Sequence, residues 1–248
     1  MKLKVLGSSS KGNCYLLTSS TGETLLVEAG IDFKEVRKAL DFKISNVVGC
    51  LITHEHSDHA MEVKTFTDRG FNVYMSLGTA TALEDKIVNK RRIKVVCNFY
   101  KYQIGDFEVI PFDVAHDAAE PIGFIITHKE CGTILFATDT YYIPHDFKDL
   151  DINHVLIECN FDKEIMETKD YLNTLKDRIQ KTHMELEDVK EFFKFNSFED
   201  LKNVVLLHLS NTNSNEEKFK NTFENLLPLS NVYIADIGLE VNLDLYQF

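Results

Sequence analysis

The chain carries a dense group of candidate metal ligands in the segment Leu51-Ile52-Thr53-His54-Glu55-His56-Ser57-Asp58-His59-Ala60. Three histidines and one aspartate fall within six residues, directly after an apolar run that predicts a strand. His54 and His56 are two residues apart, so in an extended chain both imidazoles project to the same side and can bind one metal ion. Asp58 and His59 follow where the chain turns towards a helix, and they can address a second ion. Imidazole with carboxylate suits Zn²⁺, Mn²⁺ or Fe²⁺.

One loop cannot complete two metal coordination shells, so further ligands must come from distant parts of the sequence. The candidates are His116, Asp139 and His208, each of which stands at the end of a predicted strand. A layered α/β domain places its catalytic groups at the ends of strands. The sequence therefore predicts a metal site assembled from four separate segments.

Composition and length indicate a globular protein. The 248 residues are 44% hydrophobic and 27% charged, and no linker or repeat divides them, so we expect a single domain over 1–248. No apolar run approaches the ~20 residues that span a bilayer. The N-terminus lacks a signal-peptide hydrophobic region, which predicts a cytoplasmic protein. The five cysteines are an odd number without a CxxC pair, which predicts reduced core thiols.

The charge balance limits the classes of partner. The chain has 27 basic and 39 acidic residues, a net charge of −12, which argues against a broad nucleic-acid-binding face. It does not exclude a phosphate substrate, because bound metal ions supply positive charge locally. The one tight basic cluster is Lys90-Arg91-Arg92 with Lys94. It is either a solvated hairpin face or a patch for a nucleic-acid backbone.

The order of predicted elements favours one fold class. Short β-rich runs fill the first half, and strands alternate with helices in the second, which fits an αβ/βα layered domain better than a doubly wound parallel sheet. Thr182-His183-Met184-Glu185 fits a capping box with Thr182 as N-cap, which would place His183 at the first position of a helix. Ser214-Asn215-Glu216-Glu217 repeats the pattern, and Pro228 marks the end of that helix.

The ligand pattern resembles the metallo-β-lactamase superfamily across the whole chain. Three segments are similar to the YycJ/WalJ branch, which is associated with metal-dependent 5′-to-3′ exonuclease activity on DNA: Gly7–Tyr15, Ala115–Phe124 and His208–Asn211. Glu158-Cys159-Asn160-Phe161, followed by His183, is similar to elements of the RNase Z-like phosphodiesterases.

This resemblance implies an α/β architecture of two mixed β-sheets packed as a sandwich, with helices on the outer faces and the site at one edge. It implies two divalent metal ions. By position, one ion would be held by His54, His56 and His116, and the other by Asp58, His59 and His208, with Asp139 as a bridge. Asp58 would also orient or deprotonate the attacking water. His183, oriented by Glu158, would contact phosphate or donate a proton to the leaving oxygen.

Some positions leave more than one interpretation. Glu28 stands where the superfamily usually has Asp, and it either supports the ligand loop or only closes a turn. Ser8, Ser10 and Asn13 lie in a small-residue loop that either holds a substrate phosphate or forms a plain hairpin turn. Ser210 and Asn211 either line the substrate pocket or merely precede a helix cap.

The sequence thus predicts a metal-dependent phosphodiester hydrolase, with a DNA exonuclease as the first hypothesis and a homodimer possible. One alternative is a phosphodiesterase for a small or cyclic nucleotide, which the acidic net charge favours. A second is a lactone, thioester or lactam hydrolase on the same metal site, in which the pair His183 and Glu158 has little use. A third is a binding scaffold with an inactive site.

Overall fold

The computed structural model describes residues 1–246, which build two β-sheets and the helices around them. The strands are β1 (Lys2–Gly7), β2 (Cys14–Thr18), β3 (Thr24–Val27), β4 (Val47–Leu51), β5 (Val73–Met75), β6 (Ile93–Val95), β7 (Tyr102–Ile104), β8 (Phe107–Asp113), β9 (Ile122–His128), β10 (Gly132–Ala137), β11 (Ile152–Glu158), β12 (Asn203–Leu207), β13 (Asn231–Ile234) and β14 (Glu240–Asn242). The helices are α1 (Phe33–Ala39), α2 (Ser57–Ala60), α3 (Val63–Asp68), α4 (Leu77–Ala82), α5 (Lys163–Glu167), α6 (Asn173–Thr182), α7 (Leu186–Asn196) and α8 (Glu216–Leu226), with 3₁₀ turns at Ile44–Asn46 and Lys90–Arg92.

The two sheets share one pattern of strand pairing. The first has the order β14-β1-β2-β3-β4-β5-β6 and the second β13-β12-β11-β10-β9-β8-β7. In the first sheet β14 to β3 pair antiparallel, and β3 to β6 pair parallel. In the second, β7 to β10 pair antiparallel and β10 to β13 parallel. The sequence shows no internal repeat, yet each sheet is built in the same way.

Alternation of side chains along the strands produces three layers of core. One face of each sheet packs against the other, through residues such as Leu3 and Leu17 from the first sheet and Phe124 and Phe136 from the second. The outer face of the first sheet is covered by α1 and α3. The outer face of the second is covered by α7 and α8, which bury Phe192, Phe193, Phe219 and Phe223 against it. This is the predicted αβ/βα sandwich.

Most predicted elements are confirmed, and the differences are local. β7 is an additional strand of three residues that the sequence did not indicate. The sequence has helical patterns at 60–69 and 163–180; the first corresponds to α3, preceded by the short α2, and the second is divided into α5 and α6. The second capping box is displaced by one residue, since Asn215 is the N-cap of α8 and its side chain accepts from Lys218 N.

The first capping box is wrong. Thr182 is the last residue of α6, and its hydroxyl donates back to Arg178 O at 2.9 Å. His183 follows in an extended conformation (φ −133°, ψ 154°), so it lies at the end of one helix rather than at the start of another. The next helix, α7, has Glu185 as its N-cap. The chain from His183 to Glu185 is extended because it pairs with the segment at Phe161: Asn160 N donates to Met184 O, and Leu186 N donates to Phe161 O.

The prediction that the cysteines are core thiols is wrong for Cys97, which is exposed. The other four cysteines are buried, and all five are free thiols. Among the helices described, none combines the length and apolar character needed to cross a bilayer.

Candidate active site

The predicted site residues converge at one edge of the sandwich, because they leave the carboxyl ends of strands in both sheets. Glu28 follows β3, and the loop His54–His59 follows β4 in the first sheet. In the second sheet, the residues that follow or end a strand are His116 after β8, Asp139 after β10, Glu158 at the end of β11 and His208 after β12. The seven predicted ligands fall into two clusters, each with its ligand atoms within 4.8 Å of one another.

The first cluster consists of three imidazoles. His54 Nε2 lies 3.1 Å from His56 Nδ1, and His116 Nε2 lies 3.2 Å from the same atom. Four ligands at tetrahedral positions around a zinc ion, with Zn–N of about 2.0–2.1 Å, would be about 3.3 Å apart. His116 Nδ1 donates to Thr182 O at 2.8 Å, which leaves Nε2 as the free lone pair. Thr53 Oγ1 lies 2.9 Å from His54 Nδ1 and orients that ring in the same way.

The second cluster combines imidazoles with carboxylates. His59 Nε2 is 3.3 Å from Asp58 Oδ2 and 3.3 Å from Asp139 Oδ1. His208 Nδ1 is 3.5 Å from Asp139 Oδ1, and its Nε2 is 3.6 Å from Asp58 Oδ2. The other oxygen of Asp139, Oδ2, is 3.9 Å from His116 Nε2 in the first cluster. Asp139 therefore faces both clusters.

The chemistry of the second cluster fits a divalent cation. Among the residues described, the buried Nε2 of His208 has no hydrogen-bond partner. Burial lowers the pKa of His208, but the carboxylates, Asp139 first among them, outweigh it and raise the pKa to about 10. The cluster thus requires positive charge, which a metal ion supplies, and imidazole with carboxylate is a suitable donor set for Zn²⁺, Mn²⁺ or Fe²⁺.

Glu28 lies behind the ligand loop. Its side chain is fully buried, Oε1 is 3.5 Å from His59 Nδ1, and Oε2 accepts from Thr53 N at 3.5 Å. This contact is a charge interaction rather than a hydrogen bond, and a carboxylate beside the far nitrogen of a candidate ligand histidine favours a proton on that nitrogen and raises the basicity of the ring. Glu28 therefore does more than close the turn after β3.

Three site residues have left-handed backbone, with φ of 69° at Glu28, 45° at Asp139 and 53° at His208. Each comes directly after a buried strand or one residue later, and the left-handed conformation turns its side chain towards the cluster. Such backbone costs about 1–3 kcal/mol per residue and is concentrated at functional sites.

The N-terminal loop contacts the candidate ligands through hydrogen bonds. Asn13 is fully buried, its backbone N–H donates to Asp58 O at 2.8 Å, and its amide nitrogen is 3.0 Å from His59 Nε2. Burial therefore corrects the expectation that Asn13 contacts substrate. Ser8 Oγ accepts from His208 N at 2.9 Å, so this hydroxyl fixes the backbone of His208 at the end of β12. Gly30 packs so closely that a Cβ there would lie 1.6 Å from Asp58 O.

A histidine–glutamate pair stands beside the second cluster. His183 Nδ1 is 2.6 Å from Glu158 Oε1, and the His183 ring stacks on His208 at 5.4 Å. Glu158 is fully buried, and its Oε2 accepts from Thr140 N and Met184 N. Burial lowers the pKa of His183, but the Glu158 carboxylate outweighs burial and raises it. His183 follows the C-terminus of α6 and is not, as the capping box predicted, at the first position of a helix.

A cavity of about 480 Å³ opens beside this pair. Ser10, Ser210 and Asn211, three of the predicted substrate contacts, line it together with His183 and His208. Ser210 Oγ also accepts from Asn213 N, so it shapes the loop. The basic cluster at Lys90–Arg92 is exposed and does not line the cavity.

Sequence reasoning missed several residues of the site. Thr53, Thr140 and Thr182 orient ligands or Glu158, and Arg178 lines the cavity from α6. The role of Thr53 could have been predicted from the sequence, since Thr53 directly precedes His54. The carbonyl of Thr182 and the side chain of Arg178 carry no sequence signal, because only the packing of α6 brings them to the site.

Comparisons with known proteins agree with this geometry. Residues 23–208 match the family described as "Beta-lactamase superfamily domain". The exodeoxyribonuclease WalJ of Streptococcus pneumoniae serotype 2 is 30% identical, and the alignment covers 99% of this chain and 93% of that protein. The exodeoxyribonuclease YycJ of Bacillus anthracis is 31% identical over 88% of this chain and 85% of that protein.

Solved structures show the same fold. The metallo-β-lactamase fold protein YhfI from Bacillus subtilis superimposes with a TM-score of 0.73 at 17% identity, covering 97% of this chain and 98% of that one.

Proposed function

This chain belongs to the metallo-β-lactamase superfamily, in its WalJ/YycJ branch, and is a metal-dependent hydrolase; we propose that it hydrolyses phosphodiesters at two metal ions and degrades DNA from the 5′ end. The observation that carries the proposal is the position of Asp139 between the two ligand clusters, with the pair His183 and Glu158 beside them. Two relatives named exodeoxyribonucleases support DNA as the substrate.

The metal-binding roles follow the two clusters. His54, His56 and His116 would hold one ion, and Asp58, His59 and His208 the other, with Asp139 shared. A pair of divalent ions bound there supplies positive charge to the phosphoryl group and lowers the pKa of water. We propose Mn²⁺ or Zn²⁺, with Fe²⁺ compatible with the same ligands. Asp58 is half-buried at the rim of its cluster, where it can orient the attacking water and accept its proton.

The leaving oxygen requires a proton, and His183 is placed to donate it. Its Nδ1 is held by Glu158, so Nε2 is the ring nitrogen that remains for the cavity. The buried Glu158 carboxylate favours the protonated imidazole and fixes its orientation. General acid catalysis of this kind contributes about 10²–10⁴-fold to rate. A lactone or thioester hydrolase would have little need of this pair.

A phosphodiesterase for a small or cyclic nucleotide is the second candidate. The net charge of −12 and a cavity of about 480 Å³, within the range of about 300–1,000 Å³ for small-molecule sites, both favour it. The predictions of a cytoplasmic location and a homodimer stay predictions.

The test is hydrolysis of 5′-end-labelled duplex DNA by Mn²⁺-loaded protein, with His54→Ala as the inactive control. Release of labelled mononucleotide by the wild type alone is the expected result. Intact DNA, under conditions where the same preparation cleaves a small chromogenic phosphodiester, would favour the small-nucleotide alternative.

The role of His183 is tested separately with His183→Ala. We expect kcat to fall about 10²–10⁴-fold on a dinucleotide, whose leaving alkoxide is poor, and much less on a p-nitrophenyl ester, whose leaving group needs no proton. Equal losses on both substrates would contradict the acid role.

A further inference from the structure

The cavity beside His183 has two chemically different walls. Loop residues with hydroxyl and amide groups form one wall, among them Ser10 and Asn211. The other wall is α6, which contributes the apolar side chains Leu175 and Ile179. A nucleoside has the same division between a polar edge and an apolar ring face. The cavity therefore matches one nucleotide in both size and chemistry.

Arg178 lies on the α6 wall. Of the described residues that line this cavity, it is the one lysine or arginine. Its side chain is 69% exposed and only loosely paired, with Nη2 at 3.8 Å from Asp117 Oδ2. Asp117 in turn lies 3.4 Å from His116 Nε2, so the cation stands close to the first ligand cluster. In a chain of net charge −12, an exposed arginine that is only loosely paired at this place favours an anionic ligand.

The spacing of Arg178 and His183 sets a length. The four helical steps from Arg178 to Thr182, the last residue of α6, correspond to a rise of about 6 Å, and His183 follows directly in extended conformation. This is the scale of one nucleotide, so a nucleotide whose 3′ oxygen lies at His183 extends its 5′ end towards Arg178. A guanidinium binds phosphate through two parallel N–H donors, which suits a terminal phosphate.

Resting on the proposed function, we propose that this cavity holds the terminal nucleotide of a DNA strand and that Arg178 binds its 5′-phosphate. Water adds to the scissile phosphorus and gives its proton to Asp58. The bond from phosphorus to O3′ of the terminal nucleotide breaks, and O3′ takes a proton from His183. The products are a nucleoside 5′-monophosphate and a strand with a new 5′-phosphate, which is the next ligand for Arg178.

The test compares 5′-phosphorylated and 5′-hydroxyl thymidine dinucleotides as substrates of the Mn²⁺-loaded protein. The readout is the ratio of their kcat/KM values. For the wild type we expect the phosphorylated substrate to be preferred by about tenfold or more, the scale of a charge-assisted hydrogen bond. Arg178→Ala is expected to bring the ratio close to one, and Arg178→Lys to leave it at an intermediate value.

Lys181→Ala is the matched control, because Lys181 is on the same helix and carries the same charge but does not line the cavity. It should keep the wild-type ratio, and circular dichroism checks that each variant is folded. A wild-type ratio near one, or an unchanged ratio in Arg178→Ala, overturns the role of Arg178 and leaves the nuclease proposal standing. Failure of the wild type to cleave either dinucleotide, together with intact 5′-end-labelled duplex DNA, overturns both.

Discussion

Replacement of Glu28 by aspartate tests whether this buried carboxylate sustains metal binding. Removing one methylene group withdraws the carboxylate by about 1.5 Å, so its distance to His59 Nδ1 increases from 3.5 Å to about 5 Å. With an effective dielectric constant of about 20, the attraction between the carboxylate and a unit positive charge on the ring weakens by about 1.4 kcal/mol. We therefore expect Glu28→Asp to lower metal affinity about tenfold, although aspartate is the usual residue of the superfamily here.

Glu28→Gln removes the charge while keeping the size, and we expect a loss of up to about 100-fold, the upper range for partners of metal ligands. Affinity is measured by competition with a fluorescent chelator for Mn²⁺ and Zn²⁺. Burial raises the pKa of Glu28, so the charged form is costly in the metal-free fold. The melting temperature of Glu28→Gln in EDTA should accordingly hold or rise while metal affinity falls.

The control for these variants is Glu130→Gln, which removes a carboxylate that binds the N-terminus and Ser20 far from the ligands. It should leave metal affinity unchanged. Wild-type affinity in both Glu28 variants would refute the reasoning and reduce Glu28 to a turn residue.

Three further predictions concern stability and ligand placement. Ser8→Ala leaves the buried His208 N–H without its acceptor, so we expect a loss of about 1–3 kcal/mol in urea unfolding together with weaker metal binding. Phe223→Ala empties a fully buried site under the second sheet, and should cost about 3–5 kcal/mol without changing metal affinity. His154 is fully buried, and burial lowers its pKa from 6.5 to about 4. Between these two pH values the unfolded chain binds a proton that the folded protein does not bind. The free energy of unfolding therefore falls by about 3 kcal/mol as the pH drops from 6.5 to 4. Urea titrations of wild type and His154→Gln across this range should differ in slope, and parallel curves would contradict the assignment.

The candidate metal ligands could be identified from the sequence because metal binding imposes a strict choice of residue types. The loop His54–His59 shows that choice within six residues, and His116, Asp139 and His208 show it at predicted strand ends. Parallel pairing of β10, β11 and β12 brings Asp139 and His208 to one edge, where β8 and, from the other sheet, β4 also end. The structure groups the loop residues as their spacing suggested, and places His116, Asp139 and His208 with them as the resemblance implied.

The environment of His183 was not predictable in the same way. Thr182 to Glu185 has the composition of a capping box, but local propensity is overridden by the pairing of Glu185 beside Phe161. The chain therefore stays extended, and the charge that acts on His183 is the Glu158 carboxylate, 25 residues away, rather than a helix N-terminus.

The sequence by itself determined the layered fold, the metal chemistry and the residues able to supply it, since hydrophobic periodicity and ligand type are local properties of the chain. Tertiary structure alone decided which groups surround the site. The carbonyl of Thr182 contacts His116, the carboxylate of Glu28 contacts His59, and Arg178 lines the cavity. The first two contacts join residues at least 25 positions apart. Arg178 is close to His183 in the sequence, but only the packing of α6 brings it to the cavity. All these contacts depend on how the layers pack, and pair interactions across such separations leave no pattern in the order of residues.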